Sequence, residues 1–384
     1  MKNFTLILAF MLFTTLTTKA TTWTVSNDPN SPAQYHNLQT AINNASPGDT
    51  ILIGPSLLDI SGYPTPYGNI TLNINLVLIG AGGQFPDGAN SSTEKKISYI
   101  SQISLSETSA SSGASGTKII GIKSSTIIIN SGFSGSTFTT GGISNILIER
   151  CVVGHINFDR SGANSSTMKN DTIRNCIILY YVSFTNSVWY NSSIEFEAIS
   201  IENNVFDGAY INGAATLAAS GTSLDSIFTR NNLFLDNTSY AFTRVPHMVI
   251  ENNIFWKAEP TVNNTASGVT FNNNLCYSTT NTLPGTGNIG SGNINNSNPL
   301  FVNYPSQGGA FSCAHDYSLP NNSPAHNTGT DGSDIGITGG ISPFFNYCAG
   351  PKVPTIKELT MPTNASSVPQ GGTLNVTFKA KNKD

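Results

Sequence analysis

The chain has 384 residues, of which 38% are hydrophobic and only 10% are charged, with a formal net charge of −4. No basic patch is visible that could neutralise phosphates, so the sequence excludes nucleic acid as a partner. Because Asn, Ser, Thr and Gly must cover most of the surface, the composition favours an extracellular β-protein over a cytoplasmic enzyme.

The N-terminus has the three-part layout of a secretory signal. Lys2 precedes an apolar run from Phe4 to Leu16, and Ala20 is a small residue suited to cleavage. The run is too short for the ~20 residues of a transmembrane helix, and no other segment approaches that length. We predict a signal peptide over residues 1–20 and a secreted product, either extracellular or on the cell surface, with the periplasm as an alternative. Loss of Lys2 and Lys19 leaves 16 basic against 22 acidic residues, a net charge of −6.

A short amphipathic helix is predicted next. Residues 35–45 carry Leu38, Ala41, Ile42 and Ala45 at helical spacing, and Pro47 stops the pattern before a strand over 50–53. We expect this helix to cover the first coil of a repeat fold, since a solenoid exposes an apolar cross-section at its ends. His36, at its start, is interpreted as an exposed or capping residue.

The middle of the chain repeats a turn in which two residues, most often Asn-Asn, follow an alternating strand and precede an apolar pair. Such a turn suits Asn, which tolerates left-handed backbone angles. The second turn residue marks each repeat, and the steps between markers are 25, 28, 28, 21 and 21 residues. A weaker unit lies upstream, around residues 117–130. The markers predict stacked coils of short parallel strands, and they are Cys151, Cys176, Asn204, Asn232, Asn253 and Asn274.

If the coils stack in register, residues at the same position of successive coils line up in a column. The residues two positions before each marker would then form a surface ladder of alternating charge. Cys151 and Cys176 would stack in the column of markers as free thiols. The ladder is interpreted as setting register. Its members are Glu149, Arg174, Glu202, Arg230, Glu251 and Asn272.

The C-terminal part closes the solenoid. Cys313 and Cys348 bracket the closing segment, and the sequence leaves open whether they form a disulfide. Residues 351–384 include an alternating strand pattern but are too few to fold alone, so we expect a hairpin-like tail that docks on the last coil. The predicted division is a signal peptide (1–20), a β-helix domain (21–350) and a capping tail (351–384), in a chain expected to be monomeric.

The helix and strand of residues 38–51, the Asn-Asn turns and the closing run from Asp316 to Gly336 resemble the secreted right-handed parallel β-helix proteins of the pectin-lyase-like superfamily. The Gly-rich tail is similar to C-terminal extensions of such proteins from Bacteroidetes. The resemblance implies an all-β, right-handed parallel β-helix with an N-terminal capping helix and a hairpin-like C-terminal tail. It covers nearly all of the mature chain but is specific for architecture alone, since the superfamily includes lyases, hydrolases, epimerases, tailspikes and adhesins.

Neither catalytic signature of that superfamily is found in this sequence. Its lyases use Arg or Lys beside clustered acidic Ca²⁺ ligands, and its hydrolases use two or three Asp. The acidic residues of the central coils are scattered, and no Asp-Asp pair occurs. No cofactor is therefore predicted. Asp331 and Asp334, in a short Asp/Gly loop, have an incomplete spacing for Ca²⁺ and fit turn chemistry equally well.

A polar and aromatic stripe is the candidate binding surface. The column four residues after the marker, with its near neighbours, would align along one face of the solenoid. Aromatic rings suit sugar faces, and carboxylates and amides suit hydroxyls; a solvated edge is the competing interpretation. The sequence favours a protein that binds extracellular polysaccharide or a partner. The alternative function is that of a polysaccharide lyase or glycoside hydrolase. The candidate residues are His155, Asp159, Arg160, Tyr180, Asp207, Asp236, Trp256 and Lys257.

Overall fold

The computed structural model describes residues 20–82, 97–107, 113–130, 142–159, 166–184, 194–213, 227–235, 240–245, 247–261, 268–344, 355–360 and 377–381. Within them no helix is long and apolar enough to cross a membrane. The elements in chain order are β1 (Thr22–Val25), α1 (Leu38–Asn44), β2 (Thr50–Ile53), β3 (Asn69–Leu72), β4 (Val77–Gly80), β5 (Tyr99–Ser106), β6 (Lys118–Ile120), β7 (Lys123–Asn130), β8 (Leu147–Glu149), β9 (Val152–Asp159), β10 (Ser166–Lys169), β11 (Thr172–Arg174), β12 (Ile177–Phe184), β13 (Ile194–Glu197), β14 (Ile199–Glu202), β15 (Val205–Asp207), β16 (Tyr210–Gly213), β17 (Ile227–Arg230), β18 (Leu233–Leu235), β19 (Tyr240–Thr243), β20 (Val249–Glu251), β21 (Ile254–Trp256), β22 (Glu259–Thr261), β23 (Thr270–Asn272), β24 (Leu275–Tyr277), β25 (Thr355–Thr360) and β26 (Thr377–Lys381).

The strands stack into a parallel β-helix, as predicted. Strands that precede the two-residue turn form a 10-stranded sheet in the order β1-β2-β4-β6-β8-β11-β14-β17-β20-β23. Strands that follow it form a 12-stranded sheet from β3 to β24, and β10 and β13 pair in a small third sheet. Each neighbour in these sheets is parallel and comes from an adjacent coil, with Ile201 opposite Thr229 and Phe206 opposite Phe234.

The core lies inside the coil because alternate side chains of each strand point inward. Ile199 and Ile201 are buried, whereas Ser200 and Glu202 are half-buried. Two residues after each marker, an apolar side chain also points inward. Phe206, Phe234 and Phe255 stack there, with ring centroids 4.4 and 5.0 Å apart.

The two turn residues have different roles. The first adopts the left-handed conformation, with φ between 49° and 58° at Asn175, Asn203, Asn231, Asn252 and Asn273. The second points inward and bonds to the next coil. The Asn253 side-chain oxygen accepts from the backbone and amide nitrogens of Asn232, both at 2.9 Å, and Asn253 repeats the pattern with Asn274. We call these residues the inner Asn ladder: the buried Asn204, Asn232, Asn253 and Asn274, and the half-buried Asn293.

Asn293 shows that one more coil exists than the sequence pattern indicated. Its side-chain oxygen accepts from the backbone nitrogen of Asn274 at 3.1 Å, and Ile294 makes a parallel bridge to Leu275. Gly292 takes the left-handed position before it, with φ 71°. The coil escaped detection because its turn reads Gly-Asn and lacks a regular strand.

The N-terminal cap is confirmed, in a shorter form than the apolar pattern suggested. Helix α1 begins after the N-cap residue Asn37, whose side chain accepts from the backbone nitrogen of Thr40 at 2.8 Å. Leu38, Ala41 and Ile42 form its buried face. At the other end, β25 and β26 pair antiparallel, as the hairpin-like tail requires.

The final part of the predicted β-helix domain does not continue the coils. Residues 299–344, here called the C-terminal segment, run back along the outside of the turn. The outer turn amides bind this segment in reverse order. Asn273, Asn203 and Asn175 donate to the carbonyl oxygens of Thr328, Gly339 and Ser342, and Asn252 donates to the Thr330 hydroxyl.

The C-terminal segment also covers apolar side chains on the outer face of the second sheet. These side chains come directly after the markers and are buried against Tyr317, Ala325, Ile335 and Ile337 of the segment. This second core explains why both residues of each apolar pair are hydrophobic: one points into the coil and the other lies under the segment. The covered residues are Val152, Ile177, Val205, Leu233, Ile254 and Leu275.

The charge ladder is in register, but only some of its steps form ion pairs. Arg174 pairs with Glu149 at 3.3 Å, and Arg230 pairs with Glu251 at 2.6 Å. Glu202 stands opposite both arginines in the sheet and accepts instead from the Ser200 hydroxyl at 3.1 Å. The arginines have other contacts as well, since Arg230 also lies over the Phe228 ring.

Candidate polysaccharide-binding surface

His155 and Tyr180 form a stacked pair on the outside of the solenoid. Their ring centroids are 4.8 Å apart and the planes differ by only 11°. Tyr180 is 58% exposed, although a large aromatic side chain normally gains by burial. The pair therefore presents a flat ring face to solvent.

The backbone around this pair departs from the predicted column. A register shift between Ile178 and Tyr181 makes Tyr181, rather than Tyr180, the strand partner of His155. The ring of Tyr181 lies edge-on to His155, with centroids 4.5 Å apart, and Tyr210 is opposite Tyr181 in the next coil at 5.7 Å. We call His155, Tyr180, Tyr181 and Tyr210 the aromatic stripe.

Small and polar neighbours set the position of the rings. A Cβ on Gly154 would lie 3.2 Å from the Tyr180 ring and 2.4 Å from the Ser125 carbonyl oxygen, so only glycine allows this close approach. His155 Nδ1 is 3.2 Å from that same carbonyl oxygen. In the preceding coil, the Tyr99 hydroxyl is 2.8 Å from the Ser125 Oγ.

Polar side chains continue the surface beyond the rings. Asn157 and Asp159 follow His155 on the outward positions of β9, while Ile156 and Phe158 point into the core. Asn157 is opposite Ser183 in β12, which is opposite Asn212 in β16. Asp159 thus shares the face of the aromatic stripe but lies four residues along the strand from His155, or roughly 13 Å at the rise of a β-strand.

The structure places the predicted binding residues in different surroundings, because three of them lie against the C-terminal segment. Asp207 accepts from the backbone nitrogen of Phe311 at 2.9 Å, and Lys257 Nζ donates to the Gln307 carbonyl oxygen. Trp256 is only 2% exposed. Arg160 and Asp236 lie outside the described residues. His155, Tyr180 and Asp159 are the members that the structure leaves on one accessible face.

Sequence reasoning missed Tyr181 and Tyr210. A constant offset from the marker assumes that every coil has the same number of residues between turn and strand, and the irregularity after Ile178 breaks that assumption. The run Tyr180-Tyr181 could have indicated the pair, because two successive tyrosines cannot both point inward from a strand.

The remaining polar candidates have structural partners. The Asp331 carboxylate accepts from the backbone and hydroxyl of Ser333, and this contact, opposed by partial burial, holds the pKa of Asp331 below its usual value. Asp334 accepts from the backbone nitrogen of Asn327 at 3.0 Å, and its Oδ1 lies 2.8 Å from His326 Nδ1. These are turn contacts, and the parts of the chain that the structure describes contain no cluster of three His, Cys, Asp or Glu suited to a metal.

The cysteines fall into two groups. Cys151, Cys176 and Cys276 are buried free thiols, so the prediction of stacked, unbridged cysteines in the marker column is confirmed. Cys313 takes part in a disulfide. Its candidate partner Cys348 lies outside the described residues, so the pairing that the sequence left open is not tested.

No family model matches this chain, and no curated protein matches it. Among solved structures, a pectin methylesterase from Aspergillus niger is similar at 13% identity and a TM-score of 0.25, over 82% of this chain and 94% of that one. A pectate lyase variant from Bacillus subtilis is similar at 12% identity and a TM-score of 0.26, over 83% of this chain and 91% of that one. At these levels the matches bear on neither the site nor the activity of this chain.

Proposed function

We propose that this protein is exported and binds an extracellular polysaccharide along the aromatic stripe. The observation that carries the proposal is the stacked His155–Tyr180 pair, in which a ring that is 58% exposed is held flat against a second ring. Held in this way, the ring loses little conformational freedom when a sugar packs on it.

The chemistry of the surrounding face suits a glycan. Sugar rings offer apolar C–H faces to aromatic side chains and hydroxyls to amides and carboxylates. The aromatic stripe supplies the rings, and Asn157, Asp159 and Asn212 supply acceptors and donors beside them. Because each of three successive coils contributes two or three of these residues, an extended ligand can contact several coils at once.

Binding can be tested on purified mature protein with a panel of uronic-acid and neutral polysaccharides, with and without Ca²⁺, by affinity electrophoresis and calorimetry. We expect Tyr180→Ala to weaken binding to the best ligand by about fivefold, since a stacked ring contributes on the order of 1 kcal/mol. Tyr63→Ala is the matched control: Tyr63 is 65% exposed and lies outside the aromatic stripe.

Three outcomes are informative. Loss of affinity in Tyr180→Ala with wild-type affinity in Tyr63→Ala supports the proposal. Equal affinities in all three proteins, or no binding to any member of the panel, would refute it. Release of shortened or unsaturated products from a bound polysaccharide would show that the protein is an enzyme that cleaves its ligand.

A further inference from the structure

The outer face of the 10-stranded sheet changes from aliphatic to charged along the solenoid. From Glu149 onward, the charge ladder occupies one of the two outward columns of this sheet. In the three preceding coils the same column holds Leu52, Ile79 and Ile120, which stand opposite one another in register. The other outward column adds two aliphatic residues here. We call these five residues the aliphatic patch: Leu52, Val77, Ile79, Ile120 and Leu147.

The aliphatic patch points outward because its members alternate with core residues. Ile51, Leu78 and Ile119 are fully buried, so the alternation along each strand turns the patch toward solvent. Leu52 is 39% exposed, and the other members are half-buried. A sheet face that meets water is ordinarily polar, and adjoining apolar side chains on a surface mark a site of interaction. We therefore expect another element to cover the patch.

The C-terminal segment ends close to the aliphatic patch. Arg174 Nη1 donates to the Ser342 hydroxyl at 3.4 Å, and the Asn175 amide donates to the Ser342 carbonyl oxygen at 3.2 Å. Arg174 is two coils from Ile120 in the same column, or roughly 10 Å at the spacing of neighbouring strands. Ten residues separate Phe344 from β25, and a linker of that length can span about 35 Å. The hairpin of β25 and β26 is therefore within reach of the whole patch.

The register of this hairpin gives it one apolar face. Ile356 is opposite Ala380, and Leu359 is opposite Phe378. Residues directly opposite each other share a face of an antiparallel pair. A bulge between Ile356 and Glu358 puts Ile356 on the same face as Leu359, although the two are three positions apart. The opposite face of the hairpin consists of Thr, Glu and Lys residues.

The hairpin and the aliphatic patch also match in size. Strands of five and six residues are roughly 17–20 Å long, and a patch over four coils extends for roughly 15 Å. A two-stranded hairpin alone is only marginally stable in water, so it gains by covering an apolar surface. The last coil offers a smaller surface of this kind. Ile289 is 64% exposed there, but it stands beside Thr270 and is followed by Gly290.

We propose that the hairpin of β25 and β26 docks its apolar face on the aliphatic patch of the same chain. This position replaces the last coil as the docking site of the tail, because the C-terminal segment leads away from the last coil. The segment bonds to the coils from Asn175 onward, and the hairpin covers coils that precede them. The patch lies on a different sheet from the aromatic stripe, so the proposal does not depend on polysaccharide binding.

The test compares hydrogen exchange, measured by mass spectrometry, in the full mature protein and two variants. Ile120→Arg introduces the residue type that Arg174 and Arg230 supply in the same column, and it stands beside Glu149, so the coils should keep their fold. We expect exchange in β25 and β26 to become at least tenfold faster, with β4, β6 and β8 unchanged. Ile289→Arg is the matched control on the last coil and should leave the hairpin protected.

Cross-linking gives an independent measure of position. Lys118 is exposed between the two members Val77 and Leu147 of the patch. A short amine-reactive reagent should link Lys118 to Lys379 or Lys381 in the wild type, and this product should be lost in Ile120→Arg.

Four results would overturn the proposal. One is complete exchange of the wild-type hairpin at the earliest time point, and another is unchanged exchange of the hairpin in Ile120→Arg. The third is release of the hairpin by Ile289→Arg, which would assign it to the last coil. The fourth is a dimeric mass in light scattering that Ile120→Arg reduces to a monomer, which would assign the patch to a second copy.

Discussion

The thiol of Cys176 lies 3.6 Å from the carbonyl oxygen of Ile148, which is the position that the amide of Asn204 takes against Ile173 in the next coil. Cys176 thus continues the inner Asn ladder with a weaker donor. Its sulfur also accepts from the backbone nitrogen of Cys151 at 3.4 Å, where later coils have an amide oxygen at 2.9 to 3.1 Å. The ladder is therefore complete in geometry but not in hydrogen-bond strength.

Cys176→Asn should strengthen this end of the solenoid. The new amide would bond to Ile148 and Cys151 with a stronger donor and acceptor, and we expect the free energy of unfolding to rise by about 1 kcal/mol. Chemical denaturation followed by circular dichroism measures the change. Cys276→Asn is the control: that residue points into the core, so the same substitution should cost about 2 kcal/mol. A loss of stability in Cys176→Asn would contradict the assignment of Cys176 to the ladder.

Two glycines of the C-terminal segment test its packing on the coils. Gly332 and Gly336 have similar φ values, 78° and 88°, so alanine strains the backbone at both by roughly 1–2 kcal/mol. A Cβ on Gly336 would lie 2.6 Å from the Ile254 side chain, whereas a Cβ on Gly332 meets nothing within 4 Å. We expect Gly336→Ala to cost about 1–3 kcal/mol more than Gly332→Ala in thermal or chemical unfolding. Equal costs would show that the segment does not pack tightly on Ile254.

Asp171 gives the stability of the protein a pH dependence. Burial raises its pKa to about 7, although the backbone N–H of Ile146 donates to its Oδ1 at 2.8 Å. The folded state therefore keeps a proton that the unfolded state releases near pH ~4, and stability should fall as the pH rises from about 4 to about 7. Asp171→Asn keeps the acceptor and should abolish this decline in denaturation curves measured across that range. An unchanged slope would exclude Asp171 as its source.

Asp49 is the matched control for that experiment. It is also buried in a corner of the coil, and burial by itself would raise its pKa. Hydrogen bonds from the Trp23 indole and from the backbone of Ser46 and Thr21 outweigh that effect and lower the pKa of Asp49. Its contribution to stability is present above the unfolded pKa and is lost as the pH falls below it. Asp49→Asn should therefore destabilise the protein near neutral pH and leave the decline between pH ~4 and ~7 in place.

The free thiols should be inert in the folded protein. Burial raises the pKa of Cys276 to about 12 and that of Cys176 well above its usual value, so neither forms the reactive thiolate near neutral pH. We expect no reaction with a thiol reagent before unfolding, three thiols after unfolding without reductant, and five after reduction. Five thiols without reductant would exclude a bond between Cys313 and Cys348.

The parallel β-helix could be predicted from the sequence because its physical basis is periodic. Each coil must turn at the same place. The left-handed first Asn and the ladder-forming second Asn therefore recur along the sequence as an Asn-Asn pair in most coils. The capping helix was predictable for a similar reason, since Leu38, Ala41 and Ile42 lie on one face.

The C-terminal segment could not be predicted in this way. It has no repeat, and it binds the coils through backbone carbonyl groups and scattered apolar residues such as Ile335 and Ile337. Asp207 and Trp256 are covered by that segment. A binding surface inferred from stacked columns alone therefore included residues that are not accessible. The local irregularity near Tyr180 likewise depends on backbone packing, which a fixed offset cannot represent.

The path of the C-terminal segment has a consequence for cooperativity. Stacked repeats usually interact only with their immediate neighbours, so such proteins can fray from an end, one unit at a time. Here one stretch of chain bonds to the turns of Asn273, Asn252, Asn231, Asn203 and Asn175. Loosening any of these coils disturbs contacts that its distant neighbours share, and we therefore expect these five coils to unfold as a single unit.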